Sequence, residues 1–284
     1  MTFSLLGRFG FAIAVVAACI LSFGGGSPLR AQEMQYPLAV VQTANEVTYV
    51  ADRNLPGIWK IENGQASVYF QGSKKFRTPL NAVRCLAIDA QGTLYAGDTS
   101  TREIYKFDAE GKPQPMTKGY IGIPMGIVID SKGNLFVADL ERHCVFQVTT
   151  AGEVSEFVKI QGPRGIAIDK QDRLWVLTNT GDSLVRFAPD KTKEVLVAGT
   201  PFQFTNQIVV DEASNAYFCD GYAHAVVMLA PGGQPKNLAI GEPLNHPVGI
   251  TLVGKQILVA DPQAKSIFSL STEGESKIER FYPR

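Results

Sequence analysis

Leu135-Phe136-Val137-Ala138-Asp139, preceded nine residues earlier by Gly126-Ile127-Val128-Ile129-Asp130, is the stretch that decides the fold. Its ending, apolar residues closing on a small residue and then Asp, returns along the chain. The copies are Thr48-Tyr49-Val50-Ala51-Asp52, Leu94-Tyr95-Ala96-Gly97-Asp98, Leu174-Trp175-Val176-Leu177-Thr178, Ala216-Tyr217-Phe218-Cys219-Asp220 and Ile257-Leu258-Val259-Ala260-Asp261. Their last residues lie 46, 41, 39, 42 and 41 positions apart. A period of that length marks a repeat architecture in which each unit is one supersecondary element.

The earlier element recurs as well, as Cys85-Leu86-Ala87-Ile88-Asp89, Gly165-Ile166-Ala167-Ile168-Asp169 and Gln207-Ile208-Val209-Val210-Asp211, with weaker forms at Val40-Val41 and Gly249-Ile250-Thr251-Leu252. Turn residues such as Ala90-Gln91-Gly92 and Ser131-Lys132-Gly133-Asn134 separate the two elements. A third apolar alternation follows each copy, as in Val145-Phe146-Gln147-Val148, and a glycine turn leads to a weaker fourth, as in Val154-Ser155-Glu156-Phe157. Alternation of period two with turns at short intervals reads as strands throughout. The pattern predicts an all-β chain, a six-bladed β-propeller with four antiparallel strands per blade. The blades fall near 36–80, 81–122, 123–162, 163–204, 205–244 and 245–284, and use up residues 32–284 without a second domain.

Residues 1–31 are of another kind. Met1 to Arg8 carries one positive charge, Phe9 to Phe23 is almost wholly apolar, and Gly24-Gly25-Gly26-Ser27-Pro28 breaks any helix before Leu29-Arg30-Ala31. This is the plan of a secretory signal peptide cleaved after Ala31, with an apolar run shorter than a bilayer span needs. The second reading is a lipoprotein: Val16-Ala17-Ala18-Cys19 resembles a lipobox, although Ile20-Leu21-Ser22-Phe23 prolongs the apolar core past the cysteine. Both readings predict an exported protein, periplasmic or extracellular, touching the membrane only through this segment or a lipidated Cys19.

The whole chain balances 27 basic against 27 acidic residues. Without residues 1–31 it has 25 against 27, a formal charge of −2, which gives nucleic acid no bulk attraction. Cys85, Cys144 and Cys219 fall in strands of different repeats and are expected to be small buried hydrophobes rather than a disulfide or a zinc site.

Ile123-Pro124-Met125-Gly126-Ile127-Val128-Ile129-Asp130 with Leu135-Phe136-Val137-Ala138-Asp139 resembles the NHL repeat, as do Pro163-Arg164-Gly165-Ile166-Ala167-Ile168-Asp169 and Asn245-His246-Pro247-Val248-Gly249-Ile250. The resemblance covers the chain after residue 31 and implies a six-bladed propeller related to the SMP-30/gluconolactonase-like and TolB-like propellers. That family includes binding scaffolds and a few enzymes, so it implies no one chemistry. An SMP-30-like lactonase would hold a divalent cation such as Ca²⁺; Asn206 and Asp220 match part of that ligand set, while Tyr36-Pro37-Leu38-Ala39-Val40 has no glutamate where the family places one. Some NHL propellers are zinc lyases using histidines around the channel. Here His143, His224 and His246 are too few and too scattered to predict such a site.

The recurrent Asp52, Asp98, Asp139, Asp220 and Asp261 are expected to cap turns, because a structural role repeats whereas a catalytic residue is singular. Departures from the repeat carry more information. Blade 4 has Thr178 in place of Asp. Just before the strand-A glycine the blades present Leu38, Arg84, Met125, Arg164, Asn206 and Val248, so Arg84, Arg164 and Asn206 are predicted to crowd the channel mouth as an anion-recognising cluster. Loops on the same face add Arg102, Glu141, Arg142, His143, Asn179, Tyr222 and His224. No nucleophile motif or phosphate loop is present. The sequence thus predicts a non-enzymatic binding scaffold for a protein or small anion on the channel-mouth face, with no cofactor. The alternative is the metal-dependent lactonase.

Overall fold

The computed structural model describes residues 33–283 apart from 76 and 275; the expected signal peptide and Cys19 lie outside the described residues. Residues 34–284 form one compact unit. Among the described residues twenty-four strands build six four-stranded antiparallel sheets, each from a contiguous stretch of chain. We number the blades 1 to 6 and letter their strands A to D outward from the channel. Strands A are Pro37–Gln42, Val83–Ile88, Pro124–Ile129, Pro163–Ile168, Thr205–Val210 and Gly249–Val253. Among the described residues there is no helix. The all-β, six-bladed reading of the repeat is the observed fold.

Strand B shows why the period-two pattern is so complete. Leu135–Asp139 is buried along its whole length, because a blade has a neighbour on each face. Leu135 and Val137 pack toward blade 2, against Tyr95 and Ile104. Phe136 and Ala138 point the other way, into the layer with Leu174 and Val176 of blade 4. Alternate residues therefore feed alternate interfaces, and each fully buried aliphatic or aromatic side chain contributes about 1.5–3 kcal/mol. The core is accordingly six apolar layers between blades rather than one centre. The last layer closes the ring, joining Val50 and Trp59 of blade 1 to Leu258 and Ile267 of blade 6. Among the described residues no strand is exchanged between blades 1 and 6, so this layer and the close approach of the two strands A hold the ring shut. The free Cys85, Cys144 and Cys219 are buried in these layers. Burial pushes the Cys85 and Cys144 thiols up to about 12, which keeps them protonated and inert.

Chain direction fixes the faces. The B–C loops and the D–A linkers share the face where strands A begin, which is the channel mouth. The A–B and C–D turns lie on the opposite face.

Candidate functional site at the channel mouth

Near its start, strand A of the first five blades carries a β-bulge. Val83 pairs with Asp98 and Cys85 with Gly97, leaving Arg84 as the extra residue. Pro163 pairs with Thr178 and Ile166 with Val176, so Arg164 and Gly165 together face Leu177. Leu38 in blade 1, Met125 in blade 3 and Asn206 in blade 5 sit at equivalent irregularities. A bulge kinks the strand and re-aims the residue it inserts. In blades 1 to 5 the residue in this column is thus a bulge residue, while Val248 of blade 6 precedes a regular register.

The bulge is pinned by the Asp that ends strand B. Asp139 is fully buried and accepts the amides of Gly122 (2.5 Å) and Ile123 (3.0 Å), which lead into strand A, and of Glu141 and Arg142 (3.0 Å each) in the B–C loop. Asp52, Asp98 and Asp261 clamp both segments in the same way, and Asp220 accepts the Gln203 and Phe204 amides. The repeated carboxylates therefore cap a loop and also fix the start of their own blade. Asp89, Asp130, Asp169 and Asp211 close the A–B turns, each accepting amides two and four residues on.

Arg84 and Arg164 stand in this mouth without an acidic partner among the described residues. Burial, and next the charge of Arg164, push the Arg84 guanidinium below its ordinary pKa. Burial lowers Arg164 too, while Tyr222 opposes the shift. Arg164 lies over the Phe204 ring at 4.6 Å. Phe204 is 4.9 Å from Tyr222, and Tyr222 is 5.1 Å from His246. Guanidinium stacking on a ring leaves the N–H edges free in the guanidinium plane to meet an oxyanion. On the far side of the mouth Arg53 lies 5.8 Å over Tyr36.

The sequence reading missed Phe204, His246 and Tyr36 as mouth residues, although a signal was there. Two positions before this column the blades read Tyr36, Ala82, Ile123, Gly162, Phe204 and His246. The aromatic side chains occupy blades 5, 6 and 1, an unbroken arc of the ring, and the arginines occupy blades 2 and 4.

The remaining predicted residues make contacts within the fold. Arg102 and Glu141 form an ion pair at 2.8 Å, and Arg142 lies 5.9 Å over Tyr120. Arg102, His143, His224 and Lys265 all hold left-handed φ values of 52–61° at one turn position of the repeat. His143 accepts the Gly162 amide on Nδ1 at 3.4 Å, and His224 Nδ1 bonds the Asn245 carbonyl. Asn179 accepts the Thr205 amide (2.9 Å) and hydroxyl (2.7 Å), tying blade 4 to blade 5. Asn206 is buried and donates to the Phe204 carbonyl at 3.3 Å, and Asp220 is occupied by two amides. Among the described residues no three His, Cys, Asp or Glu side chains converge as a cation site. The residues present do not fit the several converging oxygens that a hard cation requires.

Below the bulges the channel is walled by strand-A aliphatic residues, including Val41, Ile88, Ile129 and Val210, around a cavity of about 290 Å³. Gln207 stands at its top, its Nε2 donating to the Met125 carbonyl of blade 3.

Residues 122–148 match the NHL repeat family. The chain is a six-bladed β-propeller that carries an NHL repeat. Mouse E3 ubiquitin-protein ligase TRIM32 is 32% identical over 81 residues, which is 28% of this chain and 12% of TRIM32. Virginiamycin B lyase from Staphylococcus aureus superposes with a TM-score of 0.68 at 18% identity, over 89% of this chain and 86% of the lyase. A gluconolactonase from Xanthomonas campestris gives 0.68 at 17% identity, over 81% and 84% of the two chains. Identities this low establish a shared fold and carry no chemistry with them.

Proposed function

We propose that this protein is an exported binding propeller that captures an anionic group of its ligand at the channel mouth. One observation carries the reading: β-bulges aim two arginines, Arg84 and Arg164, into the mouth with no acid paired to them among the described residues. Holding two half-buried like charges together costs stability, and an oxyanion bound between them removes that cost. Guanidinium forks suit a carboxylate or phosphate with paired N–H donors. Catalysis finds no support in the mouth, which has no activated nucleophile and no convergent metal ligands among the described residues. The apolar stretch Phe9 to Phe23, followed by Leu29-Arg30-Ala31, supports export.

The test is the double variant Arg84→Ala/Arg164→Ala, titrated calorimetrically with glutarate and with inorganic phosphate. Binding of whichever anion the wild type takes should disappear while stability changes by no more than about 1 kcal/mol. A large loss of stability would make the arginines structural. Lactone hydrolysis by the wild type that EDTA abolishes would replace the binding reading with a metal-dependent hydrolase.

A further inference from the structure

The mouth face carries an excess of exposed cations. On the mouth face Arg53, Lys74, Lys75, Lys118 and Arg142 are exposed around the Arg84–Arg164 basin. Of the acids on that face, Glu141 is engaged by Arg102 at 2.8 Å and Asp182 by Lys193 at 3.3 Å, while Glu242 is exposed. The opposite face is mixed, exposing Glu46, Glu110, Glu153, Asp190 and Glu212 together with Lys112, Lys132, Lys170, Lys191 and Lys255. Formal charge over the whole chain is zero. A basic mouth is therefore a matter of placement, and an excess of cations there favours the approach of an acidic partner over the mixed charges of the other face.

The mouth is also shallow. Gln207 reaches from blade 5 to the Met125 carbonyl of blade 3, where the equivalent positions in the other blades are Ala39, Cys85, Gly126, Gly165 and Gly249. Beneath this bar the walls are aliphatic and offer an anion no charged side chain. An anionic group entering the mouth thus stops beside the arginines, and whatever carries it stays outside against the rim. The rim presents Tyr222, 57% exposed, and Tyr36, and neither hydroxyl has a hydrogen-bond partner among the described residues. Tyrosine and arginine are the side chains that most often anchor protein interfaces.

Building on the anion reading, we infer that the mouth face docks an acidic polypeptide. One Asp or Glu side chain fills the basin between Arg84 and Arg164, and neighbouring acids face the surrounding cations. A flat lipid surface cannot lower a headgroup onto recessed arginines. A nucleic acid would use the rim charges without needing a basin for a single carboxylate.

The experiment is fluorescence anisotropy of the whole mature chain with a labelled hexaglutamate peptide, across a salt series. Glutarate, a thymidine oligonucleotide and phosphatidylglycerol vesicles serve as comparison ligands. The peptide is expected to bind at least about tenfold tighter than glutarate, and Lys74→Glu/Lys75→Glu to weaken it by about tenfold with a smaller salt dependence. Lys132→Glu on the opposite face should change nothing. Glutarate binding as tightly as the peptide, with the rim reversal silent, overturns the polypeptide inference and leaves the anion site standing. Binding of neither ligand removes both. Tighter binding of the oligonucleotide or the vesicles reassigns the face to that partner.

Discussion

Blades 3 and 4 stand side by side with the same four strands, yet their mouth ends are held by different chemistry. In blade 3, Asp139 gathers four amides, two from the segment leading into strand A and two from the B–C loop. Blade 4 has Thr178 there. Its hydroxyl lies 2.6 Å from the Thr180 carbonyl and 2.9 Å from that of Asp182, so it serves only its own loop. The work of the missing carboxylate passes to neighbours. His143 of blade 3 takes the Gly162 amide, and Asn179 reaches forward to Thr205 of blade 5. The blade that breaks the repeat is also the one that carries Arg164 over Phe204. A blade with its own Asp clamp is self-contained, whereas blade 4 is built together with the aromatic arc beside it.

The largest effect should come from breaking the clamp. Asp139→Ala leaves four amides without their carboxylate at a buried site, at a cost of about 3–5 kcal/mol. At about 2–4 °C per kcal/mol for a domain of this size, the melting temperature should fall by roughly 10 °C or more. Thr178→Ala should cost about 1 kcal/mol, because one hydroxyl within a loop is lost. Equal losses, measured by calorimetry on the two variants, would mean that the clamps do not distinguish the blades.

A middle-sized effect sharpens the same contrast from the opposite face. Burial pushes the Asp169 carboxyl up, but bonds from Trp175 Nε1 (2.9 Å), the Arg173 amide and guanidinium and the Gln171 amide outweigh it, and the net shift is downward. A depressed folded pKa stabilises above the unfolded value of about 3.9, and that gain is lost as pH falls through the lower folded value. Asp169→Asn should therefore cost about 2 kcal/mol at pH 7. The gap to wild type should close on acidification below pH of about 4, followed by urea unfolding at several pH values. A gap independent of pH would assign the loss to shape rather than charge.

The strands were legible in the sequence because both faces of a blade are buried, so Leu135, Phe136, Val137 and Ala138 are all apolar while their alternation assigns them to two interfaces. The structural aspartates were legible because the clamp recurs. The bulge was not, since two residues opposing one is a fact of pairing that no single strand displays. For the same reason Arg84 and Arg164 could be named, yet the cause of their projection into the mouth could not. Phe204 and His246 escaped because they stand two positions before the compared column and look like ordinary linker residues. The stack they form with Tyr222 exists only once blades 4, 5 and 6 are side by side.

Gln207 sets the smallest prediction. Gly165, its counterpart in blade 4, must be glycine, since an added Cβ would lie 2.2 Å from the Asn206 carbonyl oxygen of the next blade. Blade 5 escapes that constraint, and its long side chain crosses to the Met125 carbonyl instead. That carbonyl faces a mouth that water can reach, so Gln207→Ala should cost only about 0.5–1 kcal/mol. Its effect on the ligand is the more telling measurement. With the bar gone the basin loses its floor but keeps both arginines. A small carboxylate held by their guanidiniums should therefore bind Gln207→Ala within about threefold of wild type, a difference of roughly 0.6 kcal/mol. A much larger loss would make the Gln207 amide part of the anion site, and the recess would then be a three-sided cradle rather than an arginine pair above a floor.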